Sequence, residues 1–221
     1  MLKIGHRGAA GYEPENTLRS FRKALDLGVD MIEFDVHRIK TGQLVIIHDD
    51  FVDRTTNGRG PVADYSFASL RKLTAGRGEK IPTLDEALDS IIGRAKVNIE
   101  IKGSGVAEAL VPIIQLRNIF DQVLVSSFKY DQLLIVKELE PKIPLALLSE
   151  EYRLAPFLDL SQQLSAKDIN VNLIFVDPQY VQTIHQAGLR MNVYTANDPV
   201  DIQRMKDYGV DGIFSDYPDR L

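Results

Sequence analysis

The sequence predicts an α/β fold, a TIM-type (β/α)8 barrel with a hairpin and a small insertion after its second strand. Three observations predict it. Short apolar runs rich in β-branched residues recur along the chain, and most are followed by an amphipathic segment with helix start and stop signals, the alternation of a parallel α/β fold. The runs that read as parallel strands number eight. At 221 residues the chain also lies near the lower end of the range for a closed barrel.

In chain order, the first strand is Lys3 to His6, and behind it Leu18, Phe21, Ala24 and Leu25 share one helical face that Gly28 terminates. The second strand is Met31 to Val36. Only a Thr41-Gly42 turn separates it from a further strand-like run, Leu44 to His48, and so tight a connection cannot be a parallel crossover. Residues 31 to 48 therefore read as a strand that passes the barrel rim and folds back as a hairpin, returning His48 to the rim. Residues 50 to 82, rich in Gly, Arg and Thr, lack clear periodicity and are expected to form an insertion over the active face. Thr83 and Glu86 make a capping box ahead of Ala87, Leu88, Ile91 and Ile92, and Gly93 closes that helix. The remaining strands are Val97 to Lys102, Val123 to Ser127, Leu145 to Leu148, Asp168 to Val171, Arg190 to Tyr194 and Gly212 to Ser215. Asp177-Pro178 and Asp198-Pro199 each place a capping side chain before a proline at the first helical position, with Gly188 and Gly209 at the far ends. One domain over residues 1–221 is expected.

Composition narrows the function. With 44% hydrophobic and 26% charged residues the chain is an ordinary soluble globular sequence. A net charge of -5 and no Lys/Arg-rich run offer no footprint for nucleic acid or an anionic membrane surface. The absence of cysteine excludes disulfides and thiolate metal sites. No signal-peptide pattern and no bilayer-length apolar stretch are present, so a cytoplasmic protein without stable membrane insertion is expected; oligomeric state is not legible.

Strand periodicity then gathers the chemistry. Residues two apart on a strand share a face, so Glu33 pairs with Asp35 and Glu100 with Lys102, while Phe34 and Ile101 face the helices. In a β/α barrel, the C-terminal ends of the strands deliver such residues, with His6, to one mouth. Three carboxylates there repel one another unless a cation holds them, and an all-oxygen donor set favours one divalent hard ion, Mg²⁺ or Ca²⁺. Three carboxylates, that ion, Arg7 and Lys102 leave one positive unit, which matches a phosphodiester. His6 and His48 are the candidate general acid and base, their intrinsic pKa lying near working pH. Which does which stays open, as does attack by water against attack by a neighbouring substrate hydroxyl through a cyclic phosphate. Lys102 reads as a substrate contact, or as a partner that neutralises Glu100. Tyr194 and Phe128, near strand ends, are candidate walls for the substrate. Asn16 reads as a helix cap, His37 and His185 as peripheral, and Gly8 as a point where the backbone approaches a ligand.

At these residues the chain resembles the glycerophosphodiester phosphodiesterase family. The resemblance is carried by His6-Arg7-Gly8, Pro14-Glu15-Asn16-Thr17, Glu33-Phe34-Asp35-Val36, the Gly42 to Asp49 hairpin ending in His48-Asp49, and Arg54-Thr55-Thr56-Asn57-Gly58. It continues through Ile81-Pro82-Thr83-Leu84, Asn98-Ile99-Glu100-Ile101-Lys102, Val193-Tyr194-Thr195-Ala196-Asn197 and Gly209-Val210-Asp211-Gly212-Ile213, then Asp216 and Pro218. It implies an eight-stranded barrel, a divalent metal on Glu33, Asp35 and Glu100, catalytic roles for His6 and His48, and phosphate contacts from Arg7 and Lys102. The implied reaction turns a small glycerophosphodiester into glycerol 3-phosphate and an alcohol. The family often has tryptophan at Tyr194, and the stretch Ser149 to Ile174 matches it poorly, so head-group preference is not read. Two alternatives stand beside this: a related barrel phosphodiesterase for lysophospholipids or phosphoinositides, and a non-catalytic binding module, against which the retention of both histidines argues.

Overall fold

In a computed structural model, which describes residues 1–150 and 154–221, nine strands form one sheet: β1 (Leu2–Gly5), β2 (Met31–Arg38), β3 (Leu44–Ile46), β4 (Lys96–Ile101), β5 (Val123–Ser127), β6 (Leu145–Ser149), β7 (Asp168–Asn172), β8 (Arg190–Tyr194) and β9 (Gly212–Ser215). Eight are parallel neighbours, and pairing of β1 with both β2 and β9 closes them into a barrel. Strand β3 lies outside this ring, antiparallel to the end of β2, with Val36 opposite Ile46 and Arg38 opposite Leu44. The hairpin is thus as read from its short turn. It ends two residues earlier than expected, although Ile47 still donates its N–H to the Asp35 carbonyl at 3.0 Å. Part of the poorly matching stretch Ser149 to Ile174, residues 151–153, lies outside the described residues.

The helices are α1 (Leu18–Asp26), α2 (Phe67–Leu70), α3 (Leu84–Ile91), α4 (Val106–Arg117), α5 (Tyr130–Leu139), α6 (Leu154–Leu164), α7 (Pro178–Gln186) and α8 (Pro199–Tyr208). The capping box of α3 is formed, with Glu86 N–H on Thr83 Oγ1 at 3.1 Å and Thr83 N–H on Glu86 Oε2 at 2.9 Å. Asp177 and Asp198 cap α7 and α8 ahead of their prolines. Apolar residues at alternate positions of the strands face these helices and make the main core; Phe34 meets Phe21 of α1 with ring centroids 5.6 Å apart. Among the described residues no helix is long and apolar enough to cross a membrane.

The hairpin faces two cores. Leu44 and Ile46 join the main one, while Val45 and Ile47 pack with Val52, Val62, Leu70, Ala75 and Ile81 in a second, smaller cluster that gives the insertion an interior of its own. The insertion is therefore anchored to the strand that returns His48. Gly8 has a structural use as well: its φ is 87°, and a Cβ there would collide with Ser20 of α1, so it serves helix packing.

Candidate active site

Pleat and register build the site. Glu33 and Asp35 of β2 point into the barrel, and the parallel register sets Glu33 beside Asn98 and Asp35 beside Glu100 of β4. Lys102 follows Glu100 on the same face just past the strand end, and His6 follows β1, its N–H on the Ser215 carbonyl of β9 at 3.0 Å. A cavity of about 340 Å³ at this end is lined by the charged and titratable His6, Arg7, Glu33, His48, Glu100 and Lys102. Phe128, Leu148, Tyr194 and Phe214 also line it. The sequence-predicted residues other than Asp35 all line that cavity, and Asp35 lies buried against them.

Glu33, Asp35 and Glu100 each offer a carboxylate oxygen, and these atoms all lie within 4.8 Å of one another. Glu33 accepts the Arg7 N–H at 2.9 Å and Asp35 accepts Asn16 Nδ2 at 2.8 Å, yet Glu33 Oε1 and Asp35 Oδ1 have no hydrogen-bond partner among the described residues. Two orphaned buried oxygens beside a third carboxylate fit a hard cation, which this trio could hold. The titration of the cluster reflects the same crowding. Burial, then Asp35 and Glu100, push Glu33 well above the usual carboxylate range. Burial and Asp35 push Glu100 up to about 7, although Lys102 Nζ stands 2.7 Å from its Oε1. Burial also works against the Asp35 charge, but Lys102, Arg7 and His48 outweigh it and hold this carboxyl below its ordinary value.

Both histidines are oriented by carboxylates. His6 Nδ1 meets Asp216 Oδ1 at 2.7 Å and His48 Nδ1 meets Asp49 Oδ1 at 2.6 Å, which leaves each Nε2 clear of its carboxylate. Asp216 is fixed in turn by Asn197, whose Nδ2 donates at 2.6 Å and whose Oδ1 accepts the Asp216 N–H at 2.8 Å. His48 Nε2 lies 3.3 Å from Lys102 Nζ. A lysine ammonium has only protons to give, so the free His48 nitrogen facing it carries a lone pair. Burial lowers the His48 pKa, against the opposing pull of Asp35 and Asp49.

Two residues at the site depart from their sequence reading. Asn16 is not the cap: Thr17 caps α1, accepting the Ser20 N–H, while Asn16 takes a positive φ of 57° and turns its amide onto Asp35. His37 is not peripheral. It is buried, and its Nε2–H donates to the His48 carbonyl at 3.2 Å. Tyr194 and Phe128 stand edge to face with centroids 6.4 Å apart in the cavity wall, and the Tyr194 hydroxyl donates to the Ser149 carbonyl at 2.8 Å, so its ring is what the cavity meets. His185 stays peripheral, paired with Asp211 at 2.8 Å. Sequence reasoning assigned no role to Asp49 and Asp216, although both lie in the quoted motifs; the signal was a carboxylate in a motif beside, or closing onto, a histidine.

The model of the glycerophosphoryl diester phosphodiesterase family matches residues 6–220. The chain belongs to that family. Membership makes it an enzyme, a phosphoric diester hydrolase. It is 37% identical over 234 residues to the glycerophosphodiester phosphodiesterase of Caldanaerobacter subterraneus subsp. tengcongensis, covering 100% of this chain and 96% of that protein. It is 34% identical over 251 residues to a Bacillus subtilis glycerophosphodiester phosphodiesterase, covering 99% and 84%. Among solved structures, an Oleispira antarctica phosphodiesterase in complex with the product sn-glycerol-3-phosphate superposes with a TM-score of 0.90 at 32% identity, covering 98% of this chain and 93% of that one.

Proposed function

We propose that residues 1–221 act as one catalytic domain that hydrolyses a glycerophosphodiester to glycerol 3-phosphate and an alcohol, with His48 as general base and His6 as general acid. The observation that carries this reading is the pair of carboxylate-oriented histidines lining one cavity with Arg7, Lys102 and the three-carboxylate cluster. Glycerol 3-phosphate in the Oleispira antarctica relative supports the substrate class. Arg7 and Lys102, both kept cationic because the carboxylates around them outweigh their burial, bind the non-bridging phosphate oxygens. His48 Nε2 takes the proton of the attacking hydroxyl as the new P–O bond forms: water gives glycerol 3-phosphate directly, whereas the glycerol hydroxyl gives a cyclic phosphate that water then opens, with the two histidines exchanging roles. His6 Nε2 gives a proton to the departing alkoxide as the old P–O bond breaks. Asp49 and Asp216 keep the rings oriented and stabilise the charge each gains in turn. A divalent cation, Mg²⁺ or Ca²⁺, held by Glu33, Asp35 and Glu100 would supply Lewis-acid stabilisation of the phosphoryl oxygens. Phe128 and Tyr194 present ring surface to the organic arm of the substrate.

The test is release of glycerol 3-phosphate from a panel of glycerophosphodiesters, with and without chelator, by the wild type, His6→Ala and His48→Ala. Activity that needs Mg²⁺ or Ca²⁺ and both histidines is expected. Near wild-type turnover by either variant sinks the acid/base assignment, and no release from any substrate sinks the activity itself.

A further inference from the structure

We propose that Arg54 is a positioning residue through which the insertion holds His48 and Arg7 in register across the mouth of the barrel. Its guanidinium lies between two carboxylates and engages both as a fork. Nε and Nη2 meet Asp49 Oδ2 and Oδ1 at 2.6 and 2.9 Å, while Nη1 and Nη2 meet Glu15 Oε2 and Oε1, each at 2.8 Å. Each carboxylate then has one further partner. Asp49 Oδ1 takes His48 Nδ1 at 2.6 Å, and Glu15 Oε1 takes Arg7 Nη1 at 2.8 Å. An unbroken series of charge-assisted contacts thus runs from His48 through Asp49, Arg54 and Glu15 to Arg7. The two ends belong to different parts of the chain: Arg7 follows β1, and His48 follows the hairpin strand β3.

The value of this linkage is geometric. Arg54 is about half exposed, at 48%, and surface ion pairs of that kind contribute little to stability. Geometry is a different matter, since misplacing a catalytic group by about 1 Å can cost about 100-fold in rate. Asp49 and Glu15 have side-chain exposures of 30% and 20%, so each has room to rotate once its second partner is gone. Only arginine can do this. Its planar set of donors satisfies two carboxylates at once, whereas a lysine ammonium presents a single point of charge. The insertion contributes Arg54 from a segment anchored by Val52, which is fully buried in the insertion's own core. The short segment between Val52 and Arg54 leaves the guanidinium tied to that core.

This inference rests on the roles proposed above for His48 and Arg7, and its test separates the two. Steady-state hydrolysis of glycerophosphocholine is compared for the wild type, Arg54→Met, Arg54→Lys, Asp49→Asn and the Arg54→Met/Asp49→Asn double variant, with His48→Ala as the control for the functional reading. Arg54→Met is expected to lower kcat by about 30- to 100-fold with KM moved by less than about threefold, and Arg54→Lys to recover part of the loss. The double variant is expected to lose less than the product of the two single losses, because Arg54 acts on His48 through Asp49, while its hold on Arg7 runs separately through Glu15. Should Arg54→Met fail to fold, Arg54→Lys in the same cycle with Asp49→Asn carries the comparison. The low-field Nδ1 proton of His48, seen by NMR and assigned against His48→Ala, gives a readout independent of turnover: it is expected in the wild type and lost to exchange in Arg54→Met. Turnover of Arg54→Met within twofold of wild type, additive losses in the cycle, or an unchanged His48 proton overturns the proposal. An inert wild type, or an active His48→Ala, overturns the functional reading instead, and the NMR comparison still decides the place of Arg54.

Discussion

Asp216 Oδ1 lies 2.7 Å from His6 Nδ1, a hydrogen bond that spans 210 positions of the chain. Burial works against the Asp216 charge, but His6 and Asn197 outweigh it and hold the carboxyl below its usual range, so the acceptor stays ionised. Replacing it with an amide keeps the shape and removes the charge. Asp216→Asn is therefore expected to lower kcat by roughly 100- to 10,000-fold while KM changes little, because an amide N–H facing Nδ1 selects the wrong tautomer. Kinetics of glycerol 3-phosphate release check this, and a loss below tenfold would show that His6 is not working through Asp216.

Asn16 predicts a metal-affinity effect. Its amide holds Asp35 Oδ2 at 2.8 Å and leaves Oδ1 without a hydrogen-bond partner, 3.7 Å from Lys102 Nζ. Loss of such an outer partner typically costs about 10- to 100-fold in metal affinity. Asn16→Ala should show that loss for Mg²⁺ and Ca²⁺ by calorimetry, with the barrel still folded by circular dichroism. Wild-type affinity in the variant would count against the trio as the binding site.

The carboxylate cluster also sets a pH dependence. Glu100 is pushed up to about 7 in the fold, against an ordinary value of 4.5. Between those limits the metal-free folded chain holds a proton that the unfolded chain has released. The stability this contributes is fully present below the unfolded value and is lost as pH rises through the folded one. A bound cation replaces that proton, so the rise in Tm on adding Mg²⁺ or Ca²⁺ should be larger at pH 8 than at pH 5. Equal rises at the two pH values would contradict the assignment.

His37 lies behind His48 rather than beside the substrate. Burial lowers its pKa and keeps the ring neutral, so it serves as a single N–H donor to the His48 carbonyl. His37→Phe, which fills the space without the donor, should lower kcat about tenfold, and His37→Gln should restore most of it. If phenylalanine is as active as the wild type, the bond to the carbonyl has no part in placing His48.

What was legible in the sequence follows from period. The alternation Glu33-Phe34-Asp35 and Glu100-Ile101-Lys102 puts the charged set on one face of two strands, and neighbouring strands then bring the set together whatever the surrounding detail. The capped helices α3, α7 and α8 were legible because a side chain marks each start. Helices α4 and α5 carry no such mark: their first residues follow Gly105 and Lys129, neither of which makes a side-chain cap, and α4 also holds Pro112 in its interior. Within the site, periodicity says nothing about contacts made by non-regular backbone. Asn16 sits in a left-handed conformation between β1 and α1, and His37 faces a loop rather than a strand, so neither role has a sequence period to reveal it. The pairing of His6 with Asp216 depends on closure of the barrel, which no local pattern encodes.

That closure has a temporal meaning. The carboxylate trio is complete in a chain that has reached β4, since Glu33, Asp35 and Glu100 come from two neighbouring strands. The oriented His6 needs β9 docked against β1, the first and last strands of the sheet, and contacts so distant in sequence form late because the intervening loop must first be closed. During synthesis, the nascent enzyme therefore acquires its carboxylate trio well before the oriented histidine proposed as its proton donor. Regain of turnover on refolding reports the docking of the last strand, whereas far-ultraviolet ellipticity reports helices that have no need of it.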